Sequence, residues 1–466
     1  MALRFFNTYS RQLEEFRPLD PSGAVKMYTC GPTVYSHAHI GNFRAYLFED
    51  ILQRHLELRG YQVHRVMNLT DVDDKTIRGC QAAGVPLAEF TQQFKDAFFA
   101  DLDALRIKRA QDYPAATDQR QIAAMIAMID ILLARHLAYL ADDKSVYFRI
   151  KAFPEYGKLA HFNLDELQST GRVKNDEYDK EHIGDFALWK AWDETDGAVR
   201  WESPWGPGRP GWHIECSAMA TQILGPQIDI HCGGVDNIFP HHEAEIAQTE
   251  GCTGQQFVRY WLHCAHLLVD GQKMSKSLGN FHTLRDVLAK GYSGREVRYA
   301  LLRVHYRAQL NFTWEGMEEA RQSLGRIDDW LARLRIRANE EPTNDASAAG
   351  EAFAEALDDD LNISAALGFL FETIRETNRA LDQSALTPAA ARAWLDWWQR
   401  IDSVLQLTAA QSDLPPEVAA LREARAQARL AKDWRRSDEL RDQILAFGWE
   451  VRDGKNGQAV TRRSGV

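Results

Sequence analysis

The chain has 466 residues, 45% of them hydrophobic, which is enough to fill several cores and too long for one ordinary domain. A formal charge of -11 excludes a histone-like, wholly basic nucleic-acid binder, although a local basic patch stays open. Six cysteines without a disulfide rhythm read as reduced thiols; with no signal-peptide core and no run near the ~20 apolar residues of a bilayer span, a soluble, cytoplasmic protein is expected.

Val25, Met27 and Tyr28 lead as a strand into the Gly31-Pro32 break. After His39, the residues Phe43, Leu47, Phe48, Ile51 and Leu52 recur with helical period, and a second apolar run, Tyr61 to Leu69, follows Gly60. This strand, helix, strand pattern with a parallel crossover puts Cys30 and His39 at the carboxyl edge of a sheet, where open α/β folds bind ligands. The helix start is also an anion site, because its first N–H groups lack partners. Residues 1–116 therefore read as the first half of an α/β, Rossmann-like, doubly wound parallel-sheet domain.

A helix from Ala124 to Leu140 and the strand-like SVYFRI belong to an insertion, 117–205, which closes on the Pro/Gly/Trp-rich WESPWGPGRPGW. The sheet is expected to resume near Gly211, giving a second half over 206–270. There Ile228 to His231, before Gly233-Gly234, reads as a strand returning to the same sheet edge. Residues 271–338 carry a loop and then helices at Arg295–Arg303 and Glu315–Arg337. After the linker-like ANEEPTNDASAAG, helices at Glu351–Leu381 and Pro388–Leu405 make an α-helical bundle over 339–405. TAAQSDLPP opens a small carboxyl-terminal α/β unit, 406–466, in which Arg422, Arg425, Arg429, Lys432 and Arg436 are spaced to share one helix face.

Three groups of residues carry chemistry. Lys273-Met274-Ser275-Lys276-Ser277, followed by Gly279, suits a loop that folds over a polyphosphate and follows charge onto a leaving pyrophosphate. Cys30, Cys216, His241 and Glu245 have the donor types of a zinc site. His241 and Glu245 lie four apart on one helix face, and the two cysteines are expected to arrive from separate strand ends. Spacing alone leaves His242 and Glu243 as equal alternatives. Gly233 and Gly234 let backbone approach a ligand closely, and Asp236 can bind a ribose hydroxyl.

HIGN at 39–42 and KMSKS at 273–277, in that order around an α/β pattern, resemble the signatures of the class I aminoacyl-tRNA synthetases. CGPTVY at 30–35, NLTDVDDK at 68–75, DFALWK at 185–190, GRPGWHIECSAM at 208–219, FPHHEAEIAQ at 239–248 and HYRAQLNFTWEGMEEA at 305–320 narrow the resemblance to the cysteinyl-tRNA synthetases. ALDDDLN at 356–362 and AKDWRRSDELRDQI near the end extend it over nearly the whole chain.

The resemblance implies ATP-dependent activation of L-cysteine and transfer to the terminal adenosine of tRNA(Cys), with Mg²⁺ accompanying ATP. It also implies one zinc ion held by Cys30, Cys216, His241 and Glu245, the substrate thiolate adding as a fifth ligand. His39, Gly41, Asn42, Gly233, Gly234, Asp236 and Lys276 become ATP contacts. His39, Asn42, Lys273 and Lys276 carry the chemistry, and Cys30, Gly31, Thr70, Trp212 and His231 line the cysteine pocket. Residues 271–338 become a stem-contact region, 339–405 an anticodon-binding bundle and 406–466 an anticodon-recognition unit, with its basic face on RNA. No editing site is expected in the insertion, no membrane contact, and a monomer is expected.

Cys232 stands where the family usually has glycine, and the expectation is an added thiol close to the metal. Two rival readings are a cysteine ligase of mycothiol synthesis, which lacks the long carboxyl-terminal region, and a non-catalytic RNA-binding paralogue, against which intact His39, Lys276 and metal ligands argue.

Overall fold

A computed structural model describes residues 2–162, 184–275, 278–339, 351–409, 416–454 and 457–462. Most of the linker-like stretches at 338–350 and 408–416, and much of the polar part of the insertion, lie outside them, as do Lys276 and Ser277. The chain forms two compact units, one of Met1–Val287, Val304–Asn311 and Glu355–Ile363, the other of Leu288–Arg303, Phe312–Ala354 and Ser364–Val466.

The first unit opens with the hairpin β1 (Arg4–Asn7) and β2 (Gln12–Glu15). The unit β3 (Ala24–Thr29), α1 (Ile40–Leu58), β4 (Gln62–Met67) follows, then α2 (Asp74–Ala83), α3 (Leu87–Ala104) and α4 (Gln119–Ala134). Four short strands, β5 (Ala138–Leu140), β6 (Val146–Phe148), β7 (Phe186–Ala191) and β8 (Gly208–Pro210), form an antiparallel sheet in that order. The parallel pattern returns with α5 (Trp212–Leu224), β9 (Ile228–Gly234), α6 (Glu243–Thr253) and β10 (Val258–Cys264), then β11 (Leu267–Val269), β12 (Gln272–Lys273), α7 (Leu284–Ala289) and β13 (Leu310–Phe312).

The core sheet is parallel throughout, in the order β10-β9-β3-β4. Met27 lies between Arg65 and Ile230, which fixes the register of β4, β3 and β9. Period-2 alternation then sorts side chains by face. Met27, Ile230, Cys232 and Leu262 pack with Phe48, Leu52 and Leu56 of α1, whereas Tyr28 and Trp261 face the other way and pack with Met219, Ala220 and Ile246 of α5 and α6. β3 and β9 are neighbours from separate crossover units, so their carboxyl ends flank the point where the strand order reverses, the place for a ligand crevice.

The second unit holds α8 (Gly294–Leu302), α9 (Trp314–Ala338), α10 (Ala352–Asp358, its last turn in the first unit), α11 (Ile363–Asp382) and α12 (Pro388–Leu405), then α13 (Pro416–Leu430), α14 (Trp434–Ala446) and the hairpin β14 (Trp449–Gly454) and β15 (Gly457–Arg462). Met317, Ala320, Leu324, Ile327, Leu331 and Leu334 give α9 its three-and-four-spaced buried stripe. The buried Arg298 donates to the carbonyls of Leu405 at 2.7 Å and Val404 at 3.3 Å, so a cation meets orphan acceptors at the end of α12.

Four local expectations change. The helix expected to reach Leu140 stops at Ala134, because His136 is left-handed (φ 60°) and 138–140 pairs as a strand. The parallel sheet resumes at Ile228 and not near Gly211, which instead caps α5; a Cβ there would lie 2.0 Å from the Ala187 carbonyl oxygen. The single helix expected over 351–381 breaks where Asp360 and Leu361 are left-handed (φ 59° and 53°). The last basic residues do not share one helix face, since α13 ends at Leu430, Lys432 is left-handed (φ 59°) and Arg436 belongs to α14.

Candidate active site

The turn after β3 is built around Gly31, whose N–H donates to Asn68 Oδ1 at 2.9 Å. A Cβ on Gly31 would stand 1.7 Å from the Asn68 carbonyl oxygen, so only glycine lets the two strand ends approach this closely. Further on, His39 caps α1: its Nδ1 accepts from the Asn42 N–H at 3.2 Å, while Asn42 Oδ1 accepts from the His39 N–H at 3.1 Å. This is a capping box made with unusual residue types. The Ile40 N–H donates to the His282 carbonyl at 3.0 Å, and a Cβ on Gly41 would meet the Met274 methyl at 2.8 Å. The start of the lysine-rich loop therefore lies against the start of α1. Lys273 ends β12 with its side chain exposed, and Lys276 falls outside the described residues.

Cys30, Cys216, His241 and Glu245 converge, with one donor atom from each lying within 4.8 Å of all the others. Cys30 follows β3, but Cys216 does not come from a strand end as expected. It sits in the early turns of α5, and His241 and Glu245 sit across the junction of a π-turn (Ile238–His242) with α6. The Glu245 carboxylate is shared, Oε1 lying 3.0 Å from His241 Nε2 and Oε2 2.8 Å from His231 Nε2.

Burial opposes charge on every one of these groups, and partners outweigh it for Cys216, His241 and Glu245 but not for Cys30. Cys216 is brought down to about 6 by its hydrogen bond with Cys30 and by His241, although burial and the Glu245 charge oppose this. Glu245 is lowered to about 2 by His231 and His241, and His241 is raised to about 10 by Cys216 and Glu245. The hydrogen bond to Cys216 and burial keep Cys30 high, so the two sulfurs hold a proton between them. Such a set of soft and anionic donors, charge-balanced only by a histidine, is the environment a divalent cation replaces protons in.

A second set, Cys30, His231, His242 and Glu245, meets the same spacing. It has one sulfur instead of two, so the first set is the better match to a thiophilic metal.

Sequence reasoning named His242 only as an alternative ligand and missed His213 and His263, which complete a shell of imidazoles around these ligands. His213 Nδ1 lies 2.9 Å from His241 Nδ1, and Trp212 stacks on His241 with centroids 4.4 Å apart. His242 Nε2 is 3.3 Å from Cys30 Sγ and its Nδ1 is 2.8 Å from His263 Nε2, whose other nitrogen reaches Thr8 Oγ1 at 2.7 Å. Burial lowers His213 and His263 to about 3, which keeps both neutral near pH 7. The signal for His263 was present in VRYWLHC, since alternation along β10 places it on the same face as Trp261, which stacks on His231 at 4.7 Å.

The other expected pocket residues gather here too. Thr70 donates to Glu215 Oε2 at 2.7 Å, both groups being buried. Gly233 packs so closely on His242 that a Cβ would meet its ring at 2.8 Å, and a Cβ on Gly234 would meet Asp236 Oδ1 at 2.3 Å. Cys232 departs from expectation: its side chain sits on the α1 face of β9, in the cluster with Met27 and Leu262, on the opposite side of the sheet from the donor set. NLTDVDDK, DFALWK and GRPGW meet in an ion cluster, with Asp74 paired to Lys190 at 3.1 Å and to Arg209, which also holds Asp196 at 2.9 Å. Those motif residues join the insertion to α2.

In the terminal unit, Arg425 is buried and spends its guanidinium on Asp453 at 2.8 Å and on Gln458. Arg429 also reaches Asp453, at 2.9 Å. Arg422 is half-buried, and Lys432 and Arg436 are exposed. Arg425 is thus a brace for this unit and not a contact for RNA.

Residues 16–322 match the family model described as the tRNA synthetases class I (C) catalytic domain, 352–408 the DALR domain and 411–460 the cysteinyl-tRNA ligase anticodon binding domain. The chain is 50% identical to a cysteine–tRNA ligase of Chlamydia muridarum, covering 99% of this chain and 100% of the relative. The corresponding ligase of Protochlamydia amoebophila is 48% identical over 99% of this chain and 98% of its own. In fold the chain is similar to Mycobacterium tuberculosis methionyl-tRNA synthetase in complex with methionyl-adenylate (TM-score 0.59, 17% identity, 82% of this chain and 88% of that one). It is also similar to the LeuRS–tRNA–LeuAMS complex of Agrobacterium radiobacter K84 (TM-score 0.60, 12% identity, 84% and 85%).

Proposed function

The chain belongs to the cysteine–tRNA ligase family of the class I tRNA synthetases, and from that premise we propose that it activates L-cysteine with ATP as cysteinyl-adenylate and transfers the cysteinyl group to tRNA(Cys), acting as a monomer with zinc as its selector of the thiol. The observation that carries this reading is the convergence of Cys30, Cys216, His241 and Glu245 at the switch point of the parallel sheet. Two sulfurs, an imidazole and a carboxylate, all close together, fit zinc in donor type and number. Bound there, zinc supplies a soft Lewis acid that prefers a thiolate to the hydroxyl of serine, a discrimination that an apolar pocket gives only at about 1–3 kcal/mol.

The remaining work falls to side chains. His231 holds the second oxygen of Glu245, so that this carboxylate keeps a partner if its hold on the metal loosens. Trp212, stacked on His241 and 37% exposed, closes over the amino acid. The α1 cap uses His39 Nδ1 and Asn42 Oδ1, which leaves His39 Nε2 and Asn42 Nδ2 to reach the phosphates of ATP beside the Gly41 backbone. Gly233, Gly234 and Asp236 receive the adenosine. Mg²⁺ accompanies the triphosphate, and Lys276, with Lys273 helping, follows charge onto the leaving pyrophosphate as the carboxylate attacks the α-phosphate in line.

Cysteine-dependent ATP–pyrophosphate exchange, measured against serine with and without a chelator, tests the reading. Exchange should require cysteine and fall to background when zinc is removed. Exchange that persists in a chain stripped of all zinc would sink the metal-recognition step.

A further inference from the structure

The second donor set, Cys30, His231, His242 and Glu245, has its own geometry around the same pocket. His242 Nε2 lies 3.3 Å from Cys30 Sγ and 3.9 Å from Glu245 Oε1, and that oxygen is 4.0 Å from Cys30 Sγ. Ligands about 2.0 to 2.3 Å from one tetrahedral ion stand roughly 3.3 to 3.8 Å apart, so these spacings approach a coordination shell. His231 Nε2 closes the set, 2.8 Å from Glu245 Oε2.

A ligating histidine characteristically gives its other ring N–H to a carbonyl or another polar partner, which fixes the tautomer and turns the free lone pair to the metal. Both imidazoles of this set have such a partner. His231 Nδ1 faces the Cys232 carbonyl at 3.3 Å, where a donor is required, and the lone pair then falls on Nε2. His242 Nδ1 faces His263 Nε2 at 2.8 Å, and His263 Nδ1 faces Thr8 Oγ1 at 2.7 Å. With each Nδ1 donating outward along this chain, His242 Nε2 also keeps its lone pair for the pocket. Trp261 stacks on His231 with centroids 4.7 Å apart and lies 5.0 Å from the His242 ring, so both imidazoles are held in place.

Glu245 belongs to both sets and serves them with different oxygens, Oε1 towards His241 and Oε2 towards His231. A carboxylate used in this way has the form of a bridge, and bridged ions sit about 3.5 to 4 Å apart.

We propose that the chain has a second cation position, made by Cys30, His231, His242 and Glu245 and joined to the first through Cys30 and Glu245. One sulfur, two imidazoles and one carboxylate suit a borderline divalent ion, such as cobalt or zinc in excess, and not a hard ion such as magnesium. The inference rests on the reading that Cys30, Cys216, His241 and Glu245 hold the first ion. His231 is also a wall of the pocket assigned to cysteine, so the second position makes that pocket sensitive to excess metal.

The test is equilibrium dialysis of the full chain, loaded with one zinc ion, against Co²⁺, with metal analysis and absorption spectra of the retained protein. Zinc binds such donors more tightly than cobalt, so the first ion stays in place. One cobalt ion per chain should be taken up beside the zinc, with a sulfur-to-cobalt charge-transfer band from Cys30. His242→Gln should weaken cobalt uptake roughly 10-fold or more and leave the zinc bound, and His231→Gln should do the same. Cys216→Ser should do the reverse, loosening zinc while the cobalt band remains.

A zinc-loaded wild-type chain that takes up no cobalt with this band, or that loses its zinc as cobalt enters, would overturn the proposal. So would a band unchanged in both histidine variants, and His231→Gln decides the matter if His242→Gln does not fold. A wild-type chain that binds no zinc at all would instead overturn the reading of the first donor set.

Discussion

Single residues in this chain are constrained most where two backbones or two charges meet. Gly31→Ala would drive a methyl group to 1.7 Å from the Asn68 carbonyl, so the turn that carries Cys30 must move. The expected outcome is loss of bound zinc and of pyrophosphate exchange together, measured by metal analysis and exchange on the same sample. Glu49 poses a different problem. It is fully buried in α1 under the sheet, neither carboxyl oxygen has a partner, and burial pushes its pKa up to about 8 against some help from Arg65.

For a carboxyl group raised in the folded state, stability is fully present below the unfolded pKa near 4 and is lost as pH rises towards 8. Glu49→Gln should therefore raise the unfolding free energy at pH 9, by on the order of a few kcal/mol. The difference from wild type should vanish near pH 4. An equal gain at both pH values would rule out ionisation as the cause. The donor types of the site were legible at this scale, but the choice of His241 and Glu245 over His242 and Glu243 came from the family resemblance and not from residue type or spacing. His213 and the partnership of His242 with His263 were not legible, since they lie in contacts between α5, β10 and the π-turn that spacing along the chain does not encode.

At the scale of elements, α9 was readable because it buries one regular stripe, whereas α1 and β9 are buried nearly all round and were readable from their apolar runs and the glycines that bound them. What was not readable is where left-handed residues end a helix. Asp360 breaks the run after α10 because its carboxylate is claimed elsewhere, by the Phe6 N–H at 2.8 Å, the Tyr306 hydroxyl at 2.7 Å and Arg307 Nε at 2.7 Å. Those partners are far away in sequence, so no local pattern contains them. The same holds for the basic residues near the end.

Even spacing suggested one RNA-facing stripe, yet Arg425 turns inward to Asp453. Two substitutions should separate these roles. Arg425→Ala, which removes the buried guanidinium that ties α13 to Asp453 and Gln458, should lower the unfolding midpoint of the terminal unit. Arg436→Ala should leave that midpoint alone and weaken tRNA binding evenly across sequences, with the salt slope reduced by about 1. A stable Arg425→Ala protein with the larger salt effect would reverse the assignment.

For the whole molecule, the order of units along the chain lets amino-acid activation and RNA reading be cut apart, provided the cut respects what holds α12 closed. Leu407 is fully buried, the Thr408 hydroxyl accepts from Trp398 Nε1 at 2.8 Å, and Asp402 takes the N–H groups of both Leu407 and Thr408. Arg295 ties Asp328 to the Leu407 carbonyl. A truncation that removes 406–466 would strip this cap and loosen the helical unit, confusing instability with loss of recognition. Removal of 410–466 keeps the cap and deletes only the part with its own small core of Val418, Ile444 and Val451.

The shorter deletion should preserve cysteine-dependent pyrophosphate exchange within about 2-fold while tRNA charging falls roughly 100-fold, since each lost nucleobase contact is worth about 1–3 kcal/mol. Deletion of 406–466 should show the same charging defect together with a lower unfolding midpoint. Equal loss of exchange and charging in the shorter deletion, with the midpoint unchanged, would mean that the terminal unit serves activation itself and not the reading of RNA.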